Sequence, residues 1–261
     1  GSMLLFNPSK DAFQIFLFLW MFYLFLRGHD SRPILCGAAM GLVASLAFFF
    51  TLATAVVVIL LAVYAAVNRA AFASHTRQTA LRFFLASAVG LLAGFLVFYL
   101  VSGYNSLPSL LVCYRNHSLF YEHFTRTYWK WALFNTWEFA MFTGAALFAA
   151  ALWGALCRHD GEVLPNRRVP TARVYLVATF VVLAVLDISG KNSSEIARLW
   201  LFFMPFLAIP AVVLVERGKH PASNLAILSV IQTATVVLLR IFLDVWRNQD
   251  FFTQVEKYAG Q

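Results

Sequence analysis

The sequence predicts an all-α polytopic membrane protein with about eight transmembrane or partial-span helices. Three observations carry that reading. Charged residues make up 12% of the chain, about half the roughly 25% of a soluble domain. Hydrophobic residues make up 61%, with 27 Phe among them, and the mean hydropathy is +0.73. The apolar residues also gather into runs that approach the ~20 needed to cross ~30 Å of hydrocarbon. One helical membrane domain is expected to take up residues 1–261, with Gly1 and Ser2 read as a tag remnant ahead of Met3.

The first span runs from near Asp11 to Leu26, and Asp11 stands where a capping carboxylate would. The second covers Pro33 to about Phe49 and the third about Leu52 to Val67. Only "FFFTLAT" separates them, which leaves two short helices or one long bent one. The fourth runs from Ala80 to Val101, followed by a long aromatic and polar segment, Ser102 to Lys130, read as a loop. The fifth runs from Trp131 to Leu156 and the sixth from Val174 to Leu186. The seventh covers Leu199 to Val215, where Pro205 and Pro210 predict a kink. The eighth runs from Asn224 to Trp246, with Pro221, Ser223 and Asn224 suiting its start.

The net charge is +8. Basic residues flank membrane spans and collect in cytoplasmic loops, and no run is dense enough for nucleic acid. Arg27, Arg32, Arg69, Arg77, Arg158, Arg167, Arg168, Arg173, Arg217 and Lys219 mark the cytoplasmic side. That orientation places both termini and the Ser102–Lys130 segment on the non-cytoplasmic side of a bacterial-type inner membrane. Arg115, Arg126, Lys130, Lys191 and Arg198 then fall on the outer side, against the rule. Cys36, Cys113 and Cys157 are scattered across both faces, with no pattern for zinc or a disulfide.

The outer side holds the polar chemistry. The Ser102–Lys130 segment carries Tyr104, Asn105, Arg115, His117 and Arg126. His117, Glu122 and His123 match no standard metal spacing and read as a solvated loop, so no residue is assigned to a metal. Asn135 and Glu138 lie one turn apart and share a helix face. A carboxylate that deep in a span needs a cavity or a partner. Trp129, Trp131 and Trp137 fit an interfacial aromatic belt, or a stacking surface for substrate. Between the sixth and seventh spans stands "LDISGKNSSEIARLW", with Asp187, Lys191, Asn192, Glu195 and Arg198. Glu195 and Arg198 are spaced as a helical ion pair. The same segment suits an anion site, with Ser193, Ser194 and Glu195 at a helix start and Lys191 and Arg198 on either side. Arg240 and Asp244 read as an intrahelical pair.

The stretch "DISGKNSSEIARLWLFFMPFLAIPA" resembles the late segment of the glycosyltransferase-C superfamily, whose members use polyprenyl-phosphate-linked sugars. There a "GE-xx-R-x-W" type stretch opens a late membrane helix. The N-terminal "NPSKDAFQIFLFLWMFYLFLRG" and "ILCGAAMGLVASLAFF" are similar to that superfamily's middle part, where an Asp precedes a short helix and a glycine-bearing helix pair follows. The resemblance implies an enzyme that moves a sugar from a lipid phosphate carrier to an acceptor at the outer membrane face. Asp11 corresponds to the family's second acidic position, and Lys191 and Arg198 to residues that hold the carrier phosphate. Branches of the family differ in whether they use a divalent cation, and nothing in these residues indicates one.

The family places its catalytic acid in a long first external loop, and this chain begins after that point. The expectation is a short relative, a fragment, or an assembly whose partner chain supplies the missing loop. The catalytic candidates are Asp11 and Glu138. The substrate-binding candidates are Tyr104, Asn105, Arg115, His117, Arg126, Asn135, Lys191, Asn192, Glu195 and Arg198. The partners expected are the polyprenyl-phosphate lipid, the sugar acceptor and membrane lipids. A non-catalytic membrane module binding a lipid phosphate or a partner chain is the alternative, and a transporter the third.

Overall fold

The computed structural model describes residues 10–30, 32–67, 77–123, 127–156, 172–190, 200–216 and 220–259. Among the described residues every regular element is helical. The helices are α1 (Lys10–Asp30), α2 (Pro33–Phe50), α3 (Ala53–Val67), α4 (Arg77–Ser102) and α5 (Ser106–His123). They continue with α6 (Tyr128–Thr143), α7 (Ala145–Leu156), α8 (Ala172–Ile188), α9 (Met204–Glu216) after a 3₁₀ turn (Leu201–Phe203), and α10 (Pro221–Ala259). This is an all-α integral membrane protein. Pro33–Phe50, Gln78–Ser102 and Pro221–Leu239 are each long and apolar enough to cross a membrane, and shorter apolar helices fill the space among them.

Residues 33–67 form two helices rather than one. Thr51 is extended (φ −161°, ψ 141°) and its N–H still donates to Ala47 O at 3.0 Å, closing α2. Its hydroxyl oxygen accepts from Ala53 N–H at 3.2 Å, so one residue serves both helix ends.

Two expectations are corrected. Trp131 to Leu156 is not one straight span: the chain breaks at Gly144, whose φ of +100° suits only glycine, and α6 and α7 meet at a bend of 109°. The Ser102–Lys130 segment is not one loop, since α5 occupies Ser106–His123. Its composition is too polar for a span, yet Pro108 sits in its first turn, where a missing N–H is harmless. Asn105 O accepts the Ser109 hydroxyl at 2.9 Å at the same end.

The tightest helix pair is α2 against α4. Gly37 and Gly41, spaced i and i+4, abut the α4 backbone at Phe83, Ser87 and Gly90–Leu91. Gly90 in turn abuts the backbone of Ala38, and Gly94 meets the Ser45 side chain. Between apolar helices in lipid such closeness is what makes van der Waals packing strong.

The core lies where α1, α3, α8 and α9 converge. Phe22 of α1 sits edge-on to Phe206 of α9 (5.3 Å) and Tyr175 of α8 (5.6 Å), beside Tyr64 of α3 (6.1 Å). Tyr64 and Thr179 share a hydroxyl–hydroxyl hydrogen bond, and Thr179 also donates to Tyr175 O at 2.8 Å. The Pro221–Leu239 stretch of α10 has no buried residue and lies on the outside of the bundle.

Candidate functional site

The structure gathers polar groups at the C-terminal end of α8. Asp187 stands in the last turn of that helix, where the dipole's negative end disfavours a carboxylate. Two donors from α6 offset this. Asn135 Nδ2 donates to Asp187 Oδ1 at 2.8 Å, and Thr136 Oγ1 donates to Asp187 Oδ2 at 3.2 Å. Asn135 is 2% exposed, so the bond pairs a donor that is buried away from water. About two turns earlier on α6, the Tyr128 hydroxyl donates to Ile188 O at 2.8 Å. Gly190, at φ +63°, follows under the Tyr128 ring, and a Cβ there would stand 3.2 Å from it.

The chain returns to the same helix after residues 191–199. Trp200 is buried and packs edge-on to Phe139 of α6 at 5.7 Å. Gly190 and Trp200, the described residues on either side of that segment, therefore both rest on α6. Glu138, half-buried, lies on α6 between Asn135 and Phe139.

The sequence-derived candidates separate accordingly. Asn135 and Glu138 fall on the helix that receives Asp187. Tyr104 belongs to another neighbourhood, half-buried between α4 and α5 and edge-on to Phe49 of α2 at 5.1 Å. Asn105 and Arg115 are exposed there. Asp11 lies in the first turn of α1 and His117 on α5, but their side chains lie outside the described residues. Arg126, Lys191, Asn192, Glu195 and Arg198 also lie outside the described residues, as do the side chains of Glu122, His123, Arg240 and Asp244. No cluster of three or more His, Cys, Asp or Glu suited to a metal occurs among the described residues.

Asp187 is the residue that sequence reasoning left out of the site. Its signal was there: an acid at the wrong end of an apolar helix needs donors from elsewhere. Those donors lie some 50 residues away in sequence, and only folding brings them in.

Asp187→Ala is expected to destabilise the protein by ~1–3 kcal/mol, the penalty for a buried donor left unmade. Asp187→Asn retains a carbonyl oxygen for Asn135 and should lose less. Melting curves of the purified variants in detergent check the order. Equal stability for all three proteins would mean the contact is solvated and holds nothing. Comparison with protein-family models, with curated proteins and with solved structures finds no match for this chain.

Proposed function

We propose that the protein is a membrane glycosyltransferase, or the membrane half of one, that moves a sugar from a polyprenyl-phosphate carrier to an acceptor at the outer membrane face. The observation that supports this reading is the anchoring of both flanks of the Lys191–Arg198 segment on α6, at Tyr128 and at Phe139, with Asn135 and Glu138 between them. The described residues on either side of a segment whose sequence carries two cations thus both contact a helix that carries a carboxylate. The orientation follows the basic residues assigned to the cytoplasm and puts both termini outside.

In this reading Lys191 and Arg198 neutralise the carrier phosphate as it leaves. The bond between the sugar's anomeric carbon and the phosphate oxygen breaks, and a bond from the acceptor oxygen to that carbon forms. The acceptor's proton passes to a carboxylate, Glu138 or Asp11. The polyprenyl phosphate departs with the bonding electron pair. Asp187 acts through Asn135 as a positioning residue for α6.

A second reading, a non-catalytic module that binds a lipid phosphate or a partner chain, uses the same anchoring. It is favoured by the Asp187 contact, where both carboxylate oxygens are already engaged by neutral donors, as in a structural pin. Native mass spectrometry with added polyprenyl phosphate tests the lipid site. The wild type is expected to form an adduct and Arg198→Ala to lose it. In a sugar-transfer assay Glu138→Gln is then expected to keep the adduct while losing ~10²–10⁴-fold in rate. An adduct without transfer by the wild type selects the second reading. No adduct, or equal binding by Arg198→Ala, removes the phosphate site from both.

A further inference from the structure

We propose that α6 is an in-plane helix at the membrane surface, seated by a Trp129–Leu133–Trp137 stripe in the head-group layer of the bilayer, rather than half of a membrane span. The inference rests on the protein being embedded in a membrane and is independent of the glycosyltransferase reading. Three observations meet on it.

The first is the stripe. Trp129, Leu133 and Trp137 are spaced i, i+4 and i+8, and they are 76%, 76% and 65% exposed. The protein-facing side carries Asn135, Phe139 and Thr143, with the same spacing and at most 2% exposed. The two stripes lie about 120° apart round the helix at 3.6 residues per turn. Trp is the residue type that prefers the boundary between head groups and acyl chains, where its ring is apolar and its N–H stays wet. Exposed Lys130 stands beside the stripe, where its ammonium can reach lipid phosphate. A helix whose exposed face is apolar and aromatic while its other face is held by protein can lie in the interface with that exposed face in the head-group layer.

The second is how α6 meets α8. Tyr128 bonds to Ile188, while Asn135 and Thr136 bond to Asp187. Those two points on α6 are roughly 10–12 Å apart along its axis at 1.5 Å per residue. On α8 they are the last two helical residues. A helix running alongside α8 would meet successive turns; α6 instead lies across its end. The apolar body of α8 ends at Leu186, so α6 lies at the level where that helix leaves the hydrocarbon.

The third is the bend. α6 and α7 meet at 109°. With α6 in the membrane plane, α7 enters the bilayer, where it packs on α8 and α9. At 12 residues, or ~18 Å, α7 reaches only partway across. The Gly144 turn is then the point where the chain leaves the surface.

Depth measurements decide it. Single spin labels are placed at Trp129→Cys, Leu133→Cys and Trp137→Cys in the full chain with its native cysteines replaced by Ser, in lipid nanodiscs. Their collision rates with oxygen and with a water-soluble nickel chelate give the depth of each. An in-plane helix puts all three at one depth near the head-group boundary, within a few Å. A spanning helix makes the depths progress by about 12 Å from residue 129 to residue 137, at 1.5 Å per residue, and overturns the proposal. Labels inaccessible to both relaxants mean that protein covers the stripe, which overturns it too. A parallel measurement needs no cysteine: brominated lipids should quench Trp129 and Trp137 from the same bromine position, read as the loss of quenching in Trp129→Phe and Trp137→Phe. Quenching from different positions sinks the proposal in the same way.

Discussion

Gly41→Leu is expected to lower the melting temperature of the detergent-purified protein by about 6–12 °C, the equivalent of ~3 kcal/mol or more of overpacking. A Cβ at Gly41 runs into the Ser87 carbonyl oxygen and stands 2.6 Å from Leu91 N. Both are backbone atoms inside α4, so neither rotates away and the helices must separate. Separation forfeits the contacts that hold two apolar helices together where lipid competes equally well for each surface. Gly90 makes the reciprocal approach to Ala38, so Gly90→Leu should act similarly. Gly103→Ala provides the contrast. Gly103 has φ +69° with open space around it, so only the ~1–2 kcal/mol of left-handed strain applies. Heating followed by size-exclusion chromatography ranks the three. A Gly41→Leu protein no less stable than Gly103→Ala would mean that α2 and α4 do not pack this closely.

Phe22→Ala should cost ~3–5 kcal/mol. Phe22 is 6% exposed and its ring meets Tyr64, Tyr175 and Phe206. Truncation opens a cavity where α1, α3, α8 and α9 meet, and a rigid aromatic cluster cannot collapse to fill it. Phe16, about 120° round α1 from Phe22, is 52% exposed. Phe16→Ala should stay within about 0.5 kcal/mol. The comparison holds residue type and helix constant and changes only the surroundings. Equal losses for the two variants would show that α1 does not present the Phe22 face to the core.

The spans were legible in the sequence wherever composition alone decides. α2, α4 and the first half of α10 are apolar along their length, and length against hydrocarbon thickness is enough to find them. The break between α2 and α3 was readable as an ambiguity, and Thr51 resolves it by capping both helices. α5 was hidden because its residues are mixed in polarity, although Asn105, Ser106 and Pro108 mark a helix start. Of the candidate site, Asn135 and Glu138 were placed on a common helix by spacing. Asp187 was not joined to them, because no local rule links residues so far apart in sequence.

The sequence by itself determined the solvent of this protein. Each apolar run carries its own transfer free energy, which needs no partner to be felt, so membrane residence and helical class follow residue by residue. Tertiary structure alone decided which helices touch, where the fifth apolar run breaks, and which acid meets Asn135. Those outcomes depend on a positive φ at Gly144, on backbone approach at Gly41 and Gly90, and on hydrogen bonds between α6 and α8. Each is a property of two segments at once, and no single stretch of sequence contains it.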